Sequence, residues 1–207
     1  MRAAVLQGGQ ISIETLPDPV PTQGKVLVEP AFAGICGSDL HLRSALTEAA
    51  AGLSDDEILN MPIFVPGHEF SARVLELGPD TSSSFKTGDR VVPIPFTPIG
   101  CEFQIVGLSP LHSGGIATRS VVDVDRCFRI PDEIGDDLAA LTEPLAVGLH
   151  AANLANRHIG PNIILGCGPV GLAVLLALKT SGRGPILAAD FSPERRAMAE
   201  TLGADIV

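Results

Sequence analysis

The chain has 207 residues, 45% of them hydrophobic and 18% charged, with 14 basic against 24 acidic side chains for a net charge of −10. That length holds one large domain or two small ones, and the apolar share excludes a disordered chain. The acidic balance repels phosphate, so nucleic acid and anionic membrane surfaces are not expected partners. With eight Phe and neither Trp nor Tyr, the chain also lacks the aromatic platforms on which single-stranded nucleic acid stacks.

Up to about residue 130 the pattern is that of β structure. Short Val-, Ile- and Leu-rich runs (MRAAVL, ISIETL, KVLVEPAFAGI, SARVLELG, DRVVPIP, TRSVVDV) are punctuated by PDPVPTQG, GPDTSSSFKTGD and LHSGG. Regularly spaced strands with such turns predict a barrel or sandwich. The Ala- and Leu-rich segment Leu42–Asn60 breaks the rhythm. It is expected to form one or two short helices as a surface excursion.

From Asp132 the period changes to a helical one in DDLAALTEPLAVGLHAANLA. NIILG then reads as a buried strand, PVGLAVLLALKTSG as a helix closed by Gly182, and PILAAD as a second strand. SPERRAMAETLG is a helix with Ser192 as N-cap, Pro193 in its first turn and Gly203 at its C-terminal end. ADIV opens a third strand. This order predicts a parallel sheet. A doubly wound dinucleotide fold has about six strands, so the sheet is expected to be incomplete and the chain to be a fragment of a longer protein.

Four cysteines, Cys36, Cys101, Cys127 and Cys167, contain no CxxC pair, which excludes a zinc-finger-type cage. The opening MRAAVLQGGQ has no apolar signal core, and a cytoplasmic protein without disulfides is expected. The uncharged stretch Ile163–Leu178, broken by Gly166, Gly168, Pro169 and Gly171, is too short to span a bilayer comfortably.

Two groups of residues carry chemistry. Gly166-Cys167-Gly168-Pro169-Val170-Gly171 is a GxGxxG sequence between a predicted strand and a helix, and Asp190 ends the next strand. That context is the dinucleotide-binding fingerprint. Gly166 allows the tight turn, Gly168 a close approach of backbone N–H groups to a pyrophosphate, and Gly171 close helix–strand packing, with the anion at the helix N-terminus beside Pro169 and Val170. Asp190 is expected to bond the adenosine ribose and to favour NAD over NADP, with Arg195 and Arg196 weakening that preference. The other group is Cys36, Ser38, Asp39 and His41, then His68 and Glu69, then Glu143. Thiolate, imidazole and carboxylate are the ligand types of a catalytic zinc. Their spacing alone does not bring them together, and packing roles for the Cys and the His stay open at this point.

GICGSDLH, VPGHEFSARVLELG, GDRVV, TEPLAVGLHAA and ILGCGPVGLAV, in this order, resemble the zinc-dependent medium-chain alcohol and polyol dehydrogenase family. The resemblance implies α+β followed by α/β structure: a GroES-like β-barrel catalytic domain at residues 1–140, then a linker helix and part of a Rossmann domain at 141–207. It implies Cys36 and His68 as catalytic zinc ligands, Glu143 as a third ligand bound directly or through water, and Glu69 as a carboxylate that approaches the metal. Asp39 then orients the liganding His68, Ser38 and His41 relay a proton to solvent, and Val147 faces the nicotinamide. The implied reaction is hydride transfer between a small alcohol or polyol and NAD, by a protein that is a homo-oligomer at full length. The 207-residue chain alone is expected to be inactive and to bind dinucleotide poorly.

Two departures qualify the likeness. Many relatives carry four closely spaced Cys after the GDRVV strand, whereas here PIPFTPIGCEFQIVGLSPLHSGG contains Cys101 alone. One zinc, no structural zinc, and a Cys101 that packs as a small apolar residue are therefore expected. The Leu42–Asn60 segment, placed near the cleft, makes transfer of substrate specificity unsafe. Two other readings stand beside it: a zinc-free quinone reductase of the same superfamily, and a non-catalytic or degenerate GroES-like and Rossmann fragment.

Overall fold

The computed structural model describes residues 1–155 and 160–207. The chain divides into two compact units, Met1–Leu141 and Thr142–Val207.

In the first unit, β1 (Arg2–Gln7) and β2 (Gln10–Thr15) form a hairpin. β3 (Lys25–Ala33) is followed by α1 (Gly37–Ala49) and α2 (Asp55–Leu59). β4 (Phe70–Leu77), β5 (Arg90–Pro93), the hairpin of β6 (Phe96–Ile99) and β7 (Glu102–Ile105), β8 (Ser120–Asp123), β9 (Cys127–Arg129) and α3 (Asp136–Ala139) complete it. Five strands form one antiparallel sheet in the order β8-β3-β4-β5-β9. Alternation drives this sheet: Val26 and Val28 on β3, Phe70, Ala72 and Val74 on β4, and Val122 on β8 all point to one buried face. Full burial of a side chain such as Val28 or Phe70 is worth about 1.5–3 kcal/mol. The start of α3 is clamped to the sheet through Asp136. Its Oδ1 accepts from Arg90 Nε at 2.7 Å and its Oδ2 from Arg73 Nη2 at 3.1 Å.

Two sequence expectations change here. The helix expected within Leu42–Asn60 starts five residues earlier, at Gly37, directly after Cys36. The helix and the segment after it pack on the β1–β2 turn: Arg43 Nε donates to the Gly9 carbonyl, and Gln7 Nε2 to the Leu59 and Met61 carbonyls. Cys101 does not pack as an apolar residue. It is exposed, because it follows Gly100 in the two-residue turn joining β6 to β7, where Gly100 takes a φ of +60°.

The second unit contains α4 (Thr142–Leu154), β10 (Asn162–Leu165), α5 (Pro169–Thr180), β11 (Ile186–Ala189) and α6 (Pro193–Thr201). β10 and β11 are parallel, and Ile206 makes a further parallel bridge to Leu187. Ile164, Ile186 and Ala188 from the strands pack with Leu175, Ala177 and Leu178 of α5 and Ala199 of α6. On α4 the buried residues Pro144, Gly148 and Ala152 recur every fourth position, and a Cβ on Gly148 would stand 2.5 Å from Ala173 of α5. Gly182 and Gly203 follow their helices with φ of +68° and +100°, the left-handed turn that glycine supplies at helix ends. No described helix is long and apolar enough to cross a membrane.

Candidate metal centre and dinucleotide loop

The pairing of β3 with β4 assembles the first cluster. Ala33 stands opposite Phe70, and one step further the Gly34 N–H donates to the Glu69 carbonyl at 2.7 Å. Cys36 thus leaves the end of β3 beside the point where His68 and Glu69 enter β4. One ligand atom from each of Cys36, His68 and Glu69 lies within 4.8 Å of the others. His68 and Glu69 are 6% and 7% exposed, and Cys36 is half-buried. A thiol, an imidazole and a carboxylate gathered this closely are a donor set that suits zinc.

α1 begins at this cluster and carries three more of the expected residues. Asp39, buried in its first turn, joins both ligand segments. It accepts from the Cys36 N–H at 2.9 Å through Oδ2 and from the Gly67 N–H at 3.4 Å through Oδ1. Its Oδ1 also lies 3.7 Å from His68 Nδ1. Burial pushes the Asp39 carboxyl up, but the His68 imidazole and the two backbone donors outweigh it and hold the group below its ordinary value. Ser38 Oγ stands 3.5 Å from His68 Nε2. His41 is three residues along the same helix and exposed, so Ser38 and His41 share a helix face. The loop under His68 is built by close backbone packing: Gly67 takes a φ of +97°, and its carbonyl accepts from the Gly115 N–H.

Glu143 and Val147 belong to the second unit. Glu143 is half-buried in the first turn of α4, and Val147 is 43% exposed on the same helix.

The glycine-rich loop lies between β10 and α5, and its three glycines do different work. Gly166 has a φ of +99°. A Cβ on Gly171 would meet the Gly166 carbonyl oxygen at 1.9 Å, so only glycine fits. Gly168 is the N-cap of α5, followed by Pro169, and the nearest atom to its bare face is Arg195 Nη1 at 4.0 Å. That open face leaves room for a ligand to meet the helix N-terminus where Pro169 and Val170 start it. Asp190 closes the loop from β11. Its Oδ2 accepts from the Cys167 N–H and its Oδ1 from the Ser192 N–H, each at 2.8 Å. Those bonds, with Arg195 Nη1 3.6 Å from Oδ2, hold the carboxyl below its ordinary value. Each carboxylate oxygen keeps further acceptor capacity. Leu165, Gly166, Ala189, Asp190 and Phe191 line a cavity of about 510 Å³.

Phe191 is fully exposed beside Asp190 and was missed in the sequence. A bare phenyl ring directly after the acidic residue of the fingerprint is the signal that could have found it. Glu69 stood in the sequence constellation, its approach to a metal given only by resemblance, and Gly34 was not singled out.

Residues 22–132 match the alcohol dehydrogenase GroES-like domain family. The chain belongs to the zinc-dependent medium-chain alcohol and polyol dehydrogenases. This medium-chain dehydrogenase sequence is 37% identical to the (R,R)-butanediol dehydrogenase of Bacillus subtilis, over 95% of the chain and 60% of that protein. It is 35% identical to the sorbitol dehydrogenase of the same organism, over 99% of the chain and 60% of the relative. The crystal structure of 2R,3R-butanediol dehydrogenase from Bacillus subtilis superposes with a TM-score of 0.82 at 35% identity, covering all of this chain and 62% of that one. The chain therefore spans about three fifths of the length of these relatives. Its fold is a GroES-like domain followed by part of a Rossmann-type sheet with its helices. The enclosing family is the one that the sequence motifs pointed to.

Proposed function

We propose that the protein containing this chain is a zinc-dependent oxidoreductase that transfers a hydride between a small alcohol or polyol and NAD. The observation that carries the reading is the convergence of Cys36, His68 and Glu69 within 4.8 Å in a chain of this family. The same convergence counts against a zinc-free reductase, which has no use for a clustered thiol–imidazole–carboxylate set.

Cys36 and His68 hold the metal, with Glu69 beside them as a carboxylate able to approach it. The roles of Glu143 at the metal and Val147 at the nicotinamide rest on the family motif TEPLAVGLHAA. A bound zinc supplies Lewis acidity to the substrate oxygen. Asp39 fixes the orientation of His68 and ties it to Cys36. Ser38, half-buried beside His68, would accept the substrate hydroxyl proton as its own hydroxyl proton passes toward His41, and exposed His41 on the same helix face would release a proton to water. NAD supplies the redox chemistry, while the chain supplies position and charge. Gly166, Gly168 and Gly171 cradle the pyrophosphate with Pro169 and Val170 at the helix start. Asp190 bonds the adenosine ribose, and Arg195 tempers its repulsion of a 2′-phosphate.

The proposal includes one zinc per chain, NAD favoured over NADP, a cytoplasmic location, and a homo-oligomer with neither nucleic acid nor membrane as partner. Supporting it are the isolated Cys101, the acidic Asp190 and the net charge of −10. The test uses the full-length protein expressed with ample zinc. Zinc content is measured beside NAD reduction with butanediol and sorbitol, for wild type, Cys36→Ser and His68→Ala. The expected result is one zinc in wild type and loss of zinc and activity in both variants. Equal, near-zero zinc in all three would sink the reading, and two zinc ions per chain would overturn the count.

A further inference from the structure

Gly34 stands between the last residue of β3 and the Cys36 loop, and its backbone conformation does not explain it. It is absent from the described glycines of positive φ, so any residue could adopt its backbone angles. Space is the constraint. A Cβ built on Gly34 would lie 2.5 Å from Glu69 Oε2, 3.3 Å from Glu69 Cβ and 3.6 Å from Glu69 Cδ. The Cβ, Cδ and Oε2 atoms of Glu69 thus stand against the bare face of Gly34. The 2.7 Å bond from the Gly34 N–H to the Glu69 carbonyl holds the two backbones side by side at this point. Glu69 is 7% exposed, and its carboxylate is the third member of the cluster with Cys36 and His68.

We propose that Gly34 is a positioning residue: its missing side chain is the channel that aims the buried Glu69 carboxylate at the Cys36–His68 pair. The inference rests on the metal reading above and deepens it. The nearest atom that a methyl group would strike is the far end of a flexible side chain, with Glu69 Cβ in tighter than ordinary contact behind it. Gly34→Ala should thus leave the fold standing and swing the carboxylate out of the cluster. Gly37 supplies the control, because a Cβ there meets nothing within 4 Å.

The experiment uses full-length protein, stripped of metal and titrated with cobalt(II), whose visible absorption reports the number and type of ligands. Affinity is read by competition with a chelator, and thermal melting checks the fold. Wild type and Gly37→Ala are expected to bind cobalt alike. Gly34→Ala should bind about tenfold to a hundredfold more weakly, the loss typical when a supporting group around a metal is disturbed, and should show an altered visible spectrum. Glu69→Gln should do the same. The double variant should be no weaker than Glu69→Gln alone, because both changes remove one contact. Unchanged affinity and spectrum in Gly34→Ala, or effects that multiply in the double variant, overturn the proposal. If Gly34→Ala does not fold, adding Glu69→Ala removes the clash and should restore folding; a double variant that also fails overturns it. A wild type with no affinity for cobalt overturns the metal reading and this inference together, whereas a cobalt-binding wild type with an indifferent Gly34→Ala overturns this inference alone.

Discussion

Removing the Asp39 carboxylate should loosen both strands of the metal cluster at once. Asp39→Ala takes away the acceptor of the Cys36 N–H at 2.9 Å and of the Gly67 N–H at 3.4 Å, and the anion 3.7 Å from His68 Nδ1. A hydrogen bond to a charged group contributes about 1.5–3 kcal/mol, and a long one less, so the gross loss is about 2–4 kcal/mol. Part returns, because the variant no longer buries a charge. The net expectation is a loss of about 2–3 kcal/mol for Asp39→Ala and roughly half that for Asp39→Asn, which keeps one acceptor oxygen. Urea unfolding of the metal-free full-length protein, followed by circular dichroism, measures this part. Zinc affinity, measured by chelator competition, should fall about tenfold to a hundredfold because His68 loses the group that orients it. A variant within about 0.5 kcal/mol of wild type, the range of an ordinary surface substitution, and with unchanged zinc affinity would refute the view that Asp39 joins the two ligand segments.

Gly171→Ala drives a methyl group to within 1.9 Å of the Gly166 carbonyl oxygen; chemical unfolding should report about 1–3 kcal/mol of destabilisation, the usual range for overpacking, and calorimetry weaker NAD binding, whereas wild-type values in both would reject the close-packing role. Replacing Asp190 with Ser should narrow the preference for NAD over NADP about tenfold, a change expected on losing a charged hydrogen bond, and a ratio of the two dissociation constants equal to that of wild type would remove Asp190 from cofactor choice. Burial and the Asp123 carboxylate push the Cys127 thiol up to about 12. Above about pH 8.5 an unfolded thiol loses its proton while the folded one keeps it, so stability should fall with rising pH by up to about 1.4 kcal/mol per unit. Cys127→Val should flatten that slope in unfolding curves taken between about pH 8.5 and 11, and parallel slopes for the two proteins would contradict the assignment.

Much of the fold was legible because two periods differ so plainly. Residues of β3 and β8 alternate between a buried and a more open face, and α4 buries every fourth residue, so the change of period toward residue 140 follows from the spacing of apolar residues. What stayed hidden was decided by side chains acting on backbone. The start of α1 at Gly37 was missed because its N-cap is a cysteine, a poor capping side chain, and the Cys36 N–H is satisfied instead by Asp39 reaching back from the first turn. A sequence reader assigns that aspartate to chemistry and does not see that it also sets the helix. The β6–β7 hairpin was missed because Pro98 and a Gly-Cys turn do not advertise pairing, and the same turn explains why Cys101 is exposed.

The two candidate sites differ in how far sequence can specify them, and the difference is one of chain distance. The dinucleotide loop is local: Gly166, Gly168 and Gly171 fall within six residues, Gly166 supplying a positive φ, Gly171 a close approach to the Gly166 carbonyl, and Gly168 an open face at the helix start. The metal cluster is non-local. Cys36 and His68 are thirty-two positions apart, and nothing in their spacing brings them together; the β3–β4 register does, by setting Ala33 against Phe70. That register also decides which residue faces Glu69. A shift of one residue would turn every side chain of the strand to the opposite face, and Gly34 would no longer lie under the carboxylate. The glycines of the loop could be read from a pattern, whereas the need for glycine at position 34 arises only once two strands are paired, since its backbone angles suit any residue and only the neighbouring Glu69 forbids one.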